Sequence, residues 1–67
     1  MKDEALNELI ELINGHDFYW RFSDDQRRWD KGFSDNQRIK ELMKNYVTED
    51  VEPFIKDGKK EAFLLMS

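Results

Sequence analysis

The chain has 67 residues, no cysteine and one histidine, and its 11 basic and 15 acidic side chains leave a net charge of −4. That length allows one domain, residues 1–67, with a thin core. The absence of cysteine excludes disulfides and thiolate zinc sites, and His16 alone cannot build a histidine-rich metal cluster.

Residues 3–14, DEALNELIELIN, carry a helical period. Leu6, Leu9, Ile10 and Ile13 fall on one face, and Ala5 and Leu12 widen it. Asp3 and Glu4 sit where the helix macrodipole favours acids. Asn14-Gly15 reads as a stop of the C-cap kind. Residues 16–22, HDFYWRF, form a short aromatic connector in which Phe18, Trp20 and Phe22 alternate as in an extended segment.

A hexamer then occurs twice: FSDDQR from Phe22 and FSDNQR from Phe33, eleven residues later. Ser23-Asp-Asp-Gln26 has the grammar of a capping box, with the Ser hydroxyl accepting from a first-turn amide and Gln26 reaching back. Ser34-Asp-Asn-Gln37 has the same grammar. Either the two boxes start two helices, with Gly32 ending the first, or one helix runs through both from Asp24 to Tyr46. Eleven residues is three turns at about 3.67 residues each, so both copies would share a face. The continuous helix is preferred, because a first helix of about eight residues is marginal in water. An interior Gly costs about 1 kcal/mol against Ala, tolerable where a ring or a backbone packs close. Trp29, Phe33, Ile39, Leu42, Met43, Tyr46 and Val47 lie on one broad half of this helix, interrupted by Asn36 and Lys40.

Beyond Tyr46, Thr48 is a plausible N-cap, and Pro53 at a first helical position offers another start. Asp57-Gly58 is a hairpin signal, but the flanking residues give no matched apolar faces. A short turn or helix near 49–57 and a terminal helix near 59–66 follow. The expected fold is an all-α small helical bundle. Its first helix packs antiparallel on the long one, Leu6, Leu9, Ile10 and Ile13 facing Trp29, Ile39, Leu42, Met43 and Tyr46.

No catalytic constellation is legible. Ser23 and Ser34 already have a capping role, and the only imidazole is His16. No calcium loop or glycine-rich phosphate loop is present. The expectation is therefore a protein that is not an enzyme and carries no metal or cofactor. MKDEALNELIELI is acidic early and never runs apolar long enough for a secretory signal. No stretch approaches the roughly 20 apolar residues of a membrane span. A cytoplasmic protein with no membrane partner is expected.

The connector and the start of the long helix concentrate Phe18, Tyr19, Trp20, Arg21, Phe22, Arg27, Arg28, Trp29 and Phe33. Most of these rings belong to the core, since each buries about 150–250 Å². Phe18, Tyr19, Trp20 and Phe22 nearly adjoin, so some must point outward. Trp, Tyr and Arg dominate interface energetics, which makes Tyr19, Trp20, Arg21 and Arg28 the candidate partner-binding residues. The alternative is nucleic acid. Residues 21–46 hold seven basic against five acidic side chains, with Arg27, Arg28, Lys31 and Arg38 as candidate phosphate contacts. Asp24, Asp25 and Asp30 are interleaved there and would repel phosphates, which favours a protein partner. The apolar AFLLM near the C-terminus is either docked on the core or the seam of a homodimer.

Residues 18–43 resemble a pattern found in small bacteriophage-encoded proteins. In it, aromatic residues precede Ser-Asp-Asp, then come a Trp, a Gly and an amphipathic helix. The matching positions are Phe18, Tyr19, Ser23, Asp24, Asp25, Trp29, Gly32, Ile39 and Leu42. The chain departs from it at Phe33-Ser34-Asp35, where helix formers are more typical. The resemblance implies a phage accessory protein that acts in the host cytoplasm by binding a host protein.

Overall fold

The computed structural model describes residues 4–66, and among them it is an all-α bundle without strands. Helix α1 spans Glu4–Gly15, α2 spans Gln26–Met43, α3 is the short Thr48–Val51, and α4 spans Asp57–Met66. Two 3-10 turns, Trp20–Phe22 and Glu52–Phe54, join them. Asp3, where the periodicity starts the first helix, lies outside the described residues.

The apolar stripe of α1 does what its spacing predicts. Leu9 and Ile13 are fully buried, and Ala5, Leu6, Ile10 and Leu12 are partly buried around them. They meet Ile39 and Leu42 of α2, Val51 of α3, Ile55, and Phe63 of α4. Each such side chain contributes about 1.5–3 kcal/mol by leaving water. The α1–α2 pair is antiparallel: Glu8 accepts from Arg38 at 2.6 and 3.0 Å, while Glu11 and Gly15 lie beside Lys31 and Asp35. Phe63 carries AFLLM into the core, but Leu64 and Leu65 remain exposed.

Trp29 does not join this core. It stacks on Phe33, ring centroids 5.4 Å apart, and both rings meet Trp20 edge-on at 5.1 and 6.0 Å. One helical face places Trp29, Gly32 and Phe33 together, and Trp20 sits in the notch that Gly32 leaves. A Cβ built on Gly32 would overlap the Cβ and Cγ of Trp20. The helix therefore runs unbroken through the second hexamer, and Gly32 is there for a close approach. Its φ is not positive.

The ends differ from the sequence expectation in informative ways. α2 starts at Gln26 rather than Asp24 because its N-cap is Asp25, whose carboxylate accepts from the Arg27 amide at 2.9 Å. Ser23 sits two residues earlier and accepts from the Asp25 amide at 3.1 Å. Gln26 does not reach back but donates to Asp30 at 2.9 Å. At the other end α2 stops at Met43. Residues 44–46 tighten into turns whose amides bond Glu41, Leu42 and Met43 three residues back. Gly15 ends α1 without a left-handed cap. Its neighbour Asn14 instead ties α1 to the distant chain, donating to the Phe54 carbonyl at 3.3 Å and accepting from the Lys56 amide at 2.8 Å. Thr48 is the first residue of α3, whose cap is Val47. Pro53 takes a first-turn position of the 3-10 turn Glu52–Phe54, where its missing N–H costs nothing. Asp57-Gly58 opens α4 rather than a hairpin, with the Lys59 and Lys60 amides both bonding Lys56 O.

Candidate functional site

The connector between α1 and α2 is not extended. Asp17 accepts from the Tyr19 amide at 2.9 Å and its carbonyl accepts from Trp20 at 3.2 Å. This Asx-type turn leads into the 3-10 turn Trp20–Phe22. The winding separates rings that an alternating strand would have kept together. Trp20 turns inward onto Gly32 and is 5 % exposed, whereas Tyr19 and Phe22 are 70 % and 78 % exposed. From the other side, Lys59 of α4 donates to the His16 carbonyl at 2.8 Å. The connector is thus held to both α2 and α4.

Between connector, α2 and α4 lies a groove of about 380 Å³. His16 and Trp20 are its buried walls; Tyr19, Phe22 and Leu65 stand exposed around it. Its polar members are Arg21 of the connector and Asn36 and Lys40 of α2. Asn36 and Lys40 are four residues apart and continue the face that carries Trp29, Gly32 and Phe33. Among the described residues neither Arg21 nor Lys40 has an ion-pair partner.

His16 is the least ordinary member. Only 1 % of it is exposed, its ring meets Phe18 edge-on at 4.6 Å, and neither ring nitrogen has a hydrogen-bond partner among the described residues. Leaving such a group unpaired costs about 1–3 kcal/mol. Burial pushes its pKa below the ordinary 6.5, against the opposing pull of Asp35 and Asp17, so the ring is neutral at pH 7.

Of the four partner-binding candidates, Tyr19 and Arg21 come together at this groove. Trp20 is a correction: it is buried and packs edge-on against the stacked Trp29 and Phe33 as structure, because Gly32 offers it a deeper seat than the surface does. Arg28 is the other. It pairs with Asp17, a bond that holds the Asp17 carboxyl below its usual range and raises the guanidinium, and it does not line the groove. Phe22, His16, Asn36, Lys40 and Leu65 complete the groove and were not singled out for it. The signal for two of them was visible: Asn36 and Lys40 are the polar residues that break the apolar stripe of the long helix.

The alternative phosphate contacts fare worse. Lys31 pairs with Asp35 at 2.7 Å, and Arg38 pairs with Glu8 at 2.6 Å and Glu41 at 3.5 Å. The Arg38 bond lowers the pKa of Glu8. With Arg28 on Asp17, three of the four cations are matched inside the fold and Arg27 alone of them has no ion-pair partner among the described residues. Among the described residues no group of three or more His, Asp or Glu side chains is gathered to hold a metal ion, and no helix is long and apolar enough to cross a membrane. No protein-family model, curated protein or solved structure matches this chain.

Proposed function

We propose that the chain is a non-enzymatic, phage-encoded accessory protein that docks on a host protein and modulates it, with the rim of the groove as the contact surface. The observation that carries this reading is the exposure of Tyr19 and Phe22, on either side of Arg21, on a connector held to two helices. Rings this exposed do no core work, and a preorganised Tyr–Arg–Phe set is the composition of an interface hot spot. The phage origin and the host partner rest on the resemblance carried by residues 18–43. A nucleic-acid partner has less support, since cations already paired with carboxylates release fewer counterions on meeting phosphate.

The test is capture from host lysate after nuclease treatment, comparing wild type with Tyr19→Ala and Phe22→Ala. Trp20→Ala cannot serve, because it removes structure. A retained protein should be purified and titrated at low and high salt. Loss of binding in both variants, with shallow salt dependence, supports the reading. Retention unchanged by either variant overturns it, as does an empty capture accompanied by salt-steep binding to DNA or RNA.

A further inference from the structure

Resting on that docking reading, we propose that the groove takes a carboxylate carried beside an apolar side chain on a peptide segment of the partner, with Arg21 and Lys40 as counter-charges. Charge complementarity identifies the occupant. The chain is acidic overall, at −4, yet the groove is lined by two cations and no carboxylate. Neither cation is matched by an ion pair among the described residues, in contrast to Arg28, Lys31 and Arg38 on the same protein.

The remaining walls ask for an apolar group. Phe18, Trp20, Phe22 and Leu65 surround the cations. The volume, about 380 Å³, falls in the range of roughly 300–1,000 Å³ typical of ligand sites. His16 is almost wholly buried in the groove wall, so the polar contacts open to such a group come from Arg21, Lys40 and Asn36. The planar fork of Arg21 matches the two oxygens of a carboxylate, and Lys40 adds a point charge. Asn36 supplies both an amide donor and an acceptor for the flanking peptide backbone.

The experiment is a nuclear magnetic resonance titration of the isotope-labelled full chain with N-acetyl-L-phenylalanine as carboxylate and with its primary amide as control. The carboxylate should shift the Arg21 and Lys40 side-chain signals saturably, and the amide should bind about tenfold more weakly. Arg21→Gln and Lys40→Gln alter exposed residues, so their folds can be checked by circular dichroism; each should weaken the carboxylate by a similar factor. Equal binding of acid and amide, shifts that map away from the groove, or no saturable shift all overturn the assignment. So does tighter binding of phenyl phosphate, which reassigns the site to phosphate, or sedimentation as a dimer whose interface buries Arg21 and Lys40, which makes a second copy the occupant. The docking reading fails separately. If Tyr19→Ala and Phe22→Ala abolish partner capture while Lys40→Gln leaves it intact, docking stands and the carboxylate site falls. If the carboxylate binds as described but Tyr19→Ala and Phe22→Ala leave capture unchanged, docking falls and the carboxylate site stands without it.

Discussion

The two copies of the hexamer differ by a single residue, Asp25 against Asn36, yet the chain folds them into different things. In the first copy Phe22 ends a 3-10 turn and is exposed, Ser23 and Asp25 each accept a backbone amide, and helix starts only at Gln26. In the second, all six residues lie inside α2. Ser34 has no cap to make, Phe33 stacks on Trp29, and Arg38 reaches Glu8 on α1. What precedes each copy accounts for the contrast. The second copy inherits a helix already under way, and adding a residue to a formed helix is far easier than starting one. The first copy follows the Asp17 turn and a 3-10 turn that ends in extended backbone at Ser23, so a helix has to be started afresh from Asp25. The Ser-x-x-Gln grammar is permissive: it allows a helix start and does not impose one.

Paired substitutions at equivalent positions sharpen this contrast. The largest difference is expected just before each hexamer. Gly32→Ala forces a methyl group into Trp20, which Trp29 and Phe33 hold in place. The overlap should outweigh the helix-propensity gain and cost about 2 kcal/mol in urea unfolding. Its counterpart Arg21→Ala, at an exposed position, should stay within about 0.5 kcal/mol. In a Trp20→Ala background the Gly32→Ala penalty should shrink without vanishing, because alanine removes the ring but keeps the Cβ that the new methyl group also meets. An undiminished penalty there would mean that the helix itself, not the ring, rejects the methyl.

Next come the two phenylalanines. Phe33→Ala removes a ring stacked on one tryptophan and touching another, at 45 % exposure, and should cost about 1–2 kcal/mol. Phe22→Ala should cost less than about 0.5 kcal/mol, since the ring is mostly in water. Equal effects on thermal midpoints would erase the distinction between a structural and a surface copy.

Smaller still is the pair that differs in sequence. Asp25→Ala deletes the N-cap of α2 and should lose about 1 kcal/mol of stability. Asn36→Ala, mid-helix, should be neutral or gain about 0.5 kcal/mol from propensity. The smallest contrast belongs to serine. Ser34→Ala should stabilise by at most about 0.5 kcal/mol, whereas Ser23→Ala should destabilise slightly by losing its bond to the Asp25 amide. A stabilising Ser23→Ala would show that this bond contributes nothing.

Periodicity made the first helix and the aliphatic core legible. Leu9, Ile13, Ile39 and Leu42 could be read directly, because burial of a helix face leaves a 3.6-residue mark. The continuity of α2 was legible as well, since the rule that tolerates Gly beneath a ring is general. What could not be read was which ring. Trp20 and Tyr19 are adjacent, and the choice of the one that turns inward depends on a 3-10 winding set by the Asp17 side chain. No local pattern announces that winding. Trp29 was misplaced for a related reason: it shares a broad apolar half with Ile39, but the aromatic notch at Gly32 and the aliphatic core divide that half between them. Asn14 was read only as a helix stop, and its bonds to Phe54 and Lys56 span forty residues or more. Of the groove, the cations and rings were visible singly. Their convergence with Leu65 depends on where α4 lies.

The buried imidazole of His16 makes the fold a proton-linked equilibrium. Burial keeps the folded pKa below the ordinary 6.5, so the unfolded chain binds a proton first as acid is added. The stabilisation from the neutral ring is complete above that ordinary value and drains away as pH falls from 6.5 toward the folded pKa. Asp17 and Glu8, both lowered by their arginine partners, withdraw their own contribution only further down, as pH falls below their ordinary 3.8 and 4.5. Urea titrations between about pH 7 and pH 5 should therefore show falling stability in wild type and a nearly flat profile in His16→Phe, since histidine is the side chain whose ordinary pKa lies in that window.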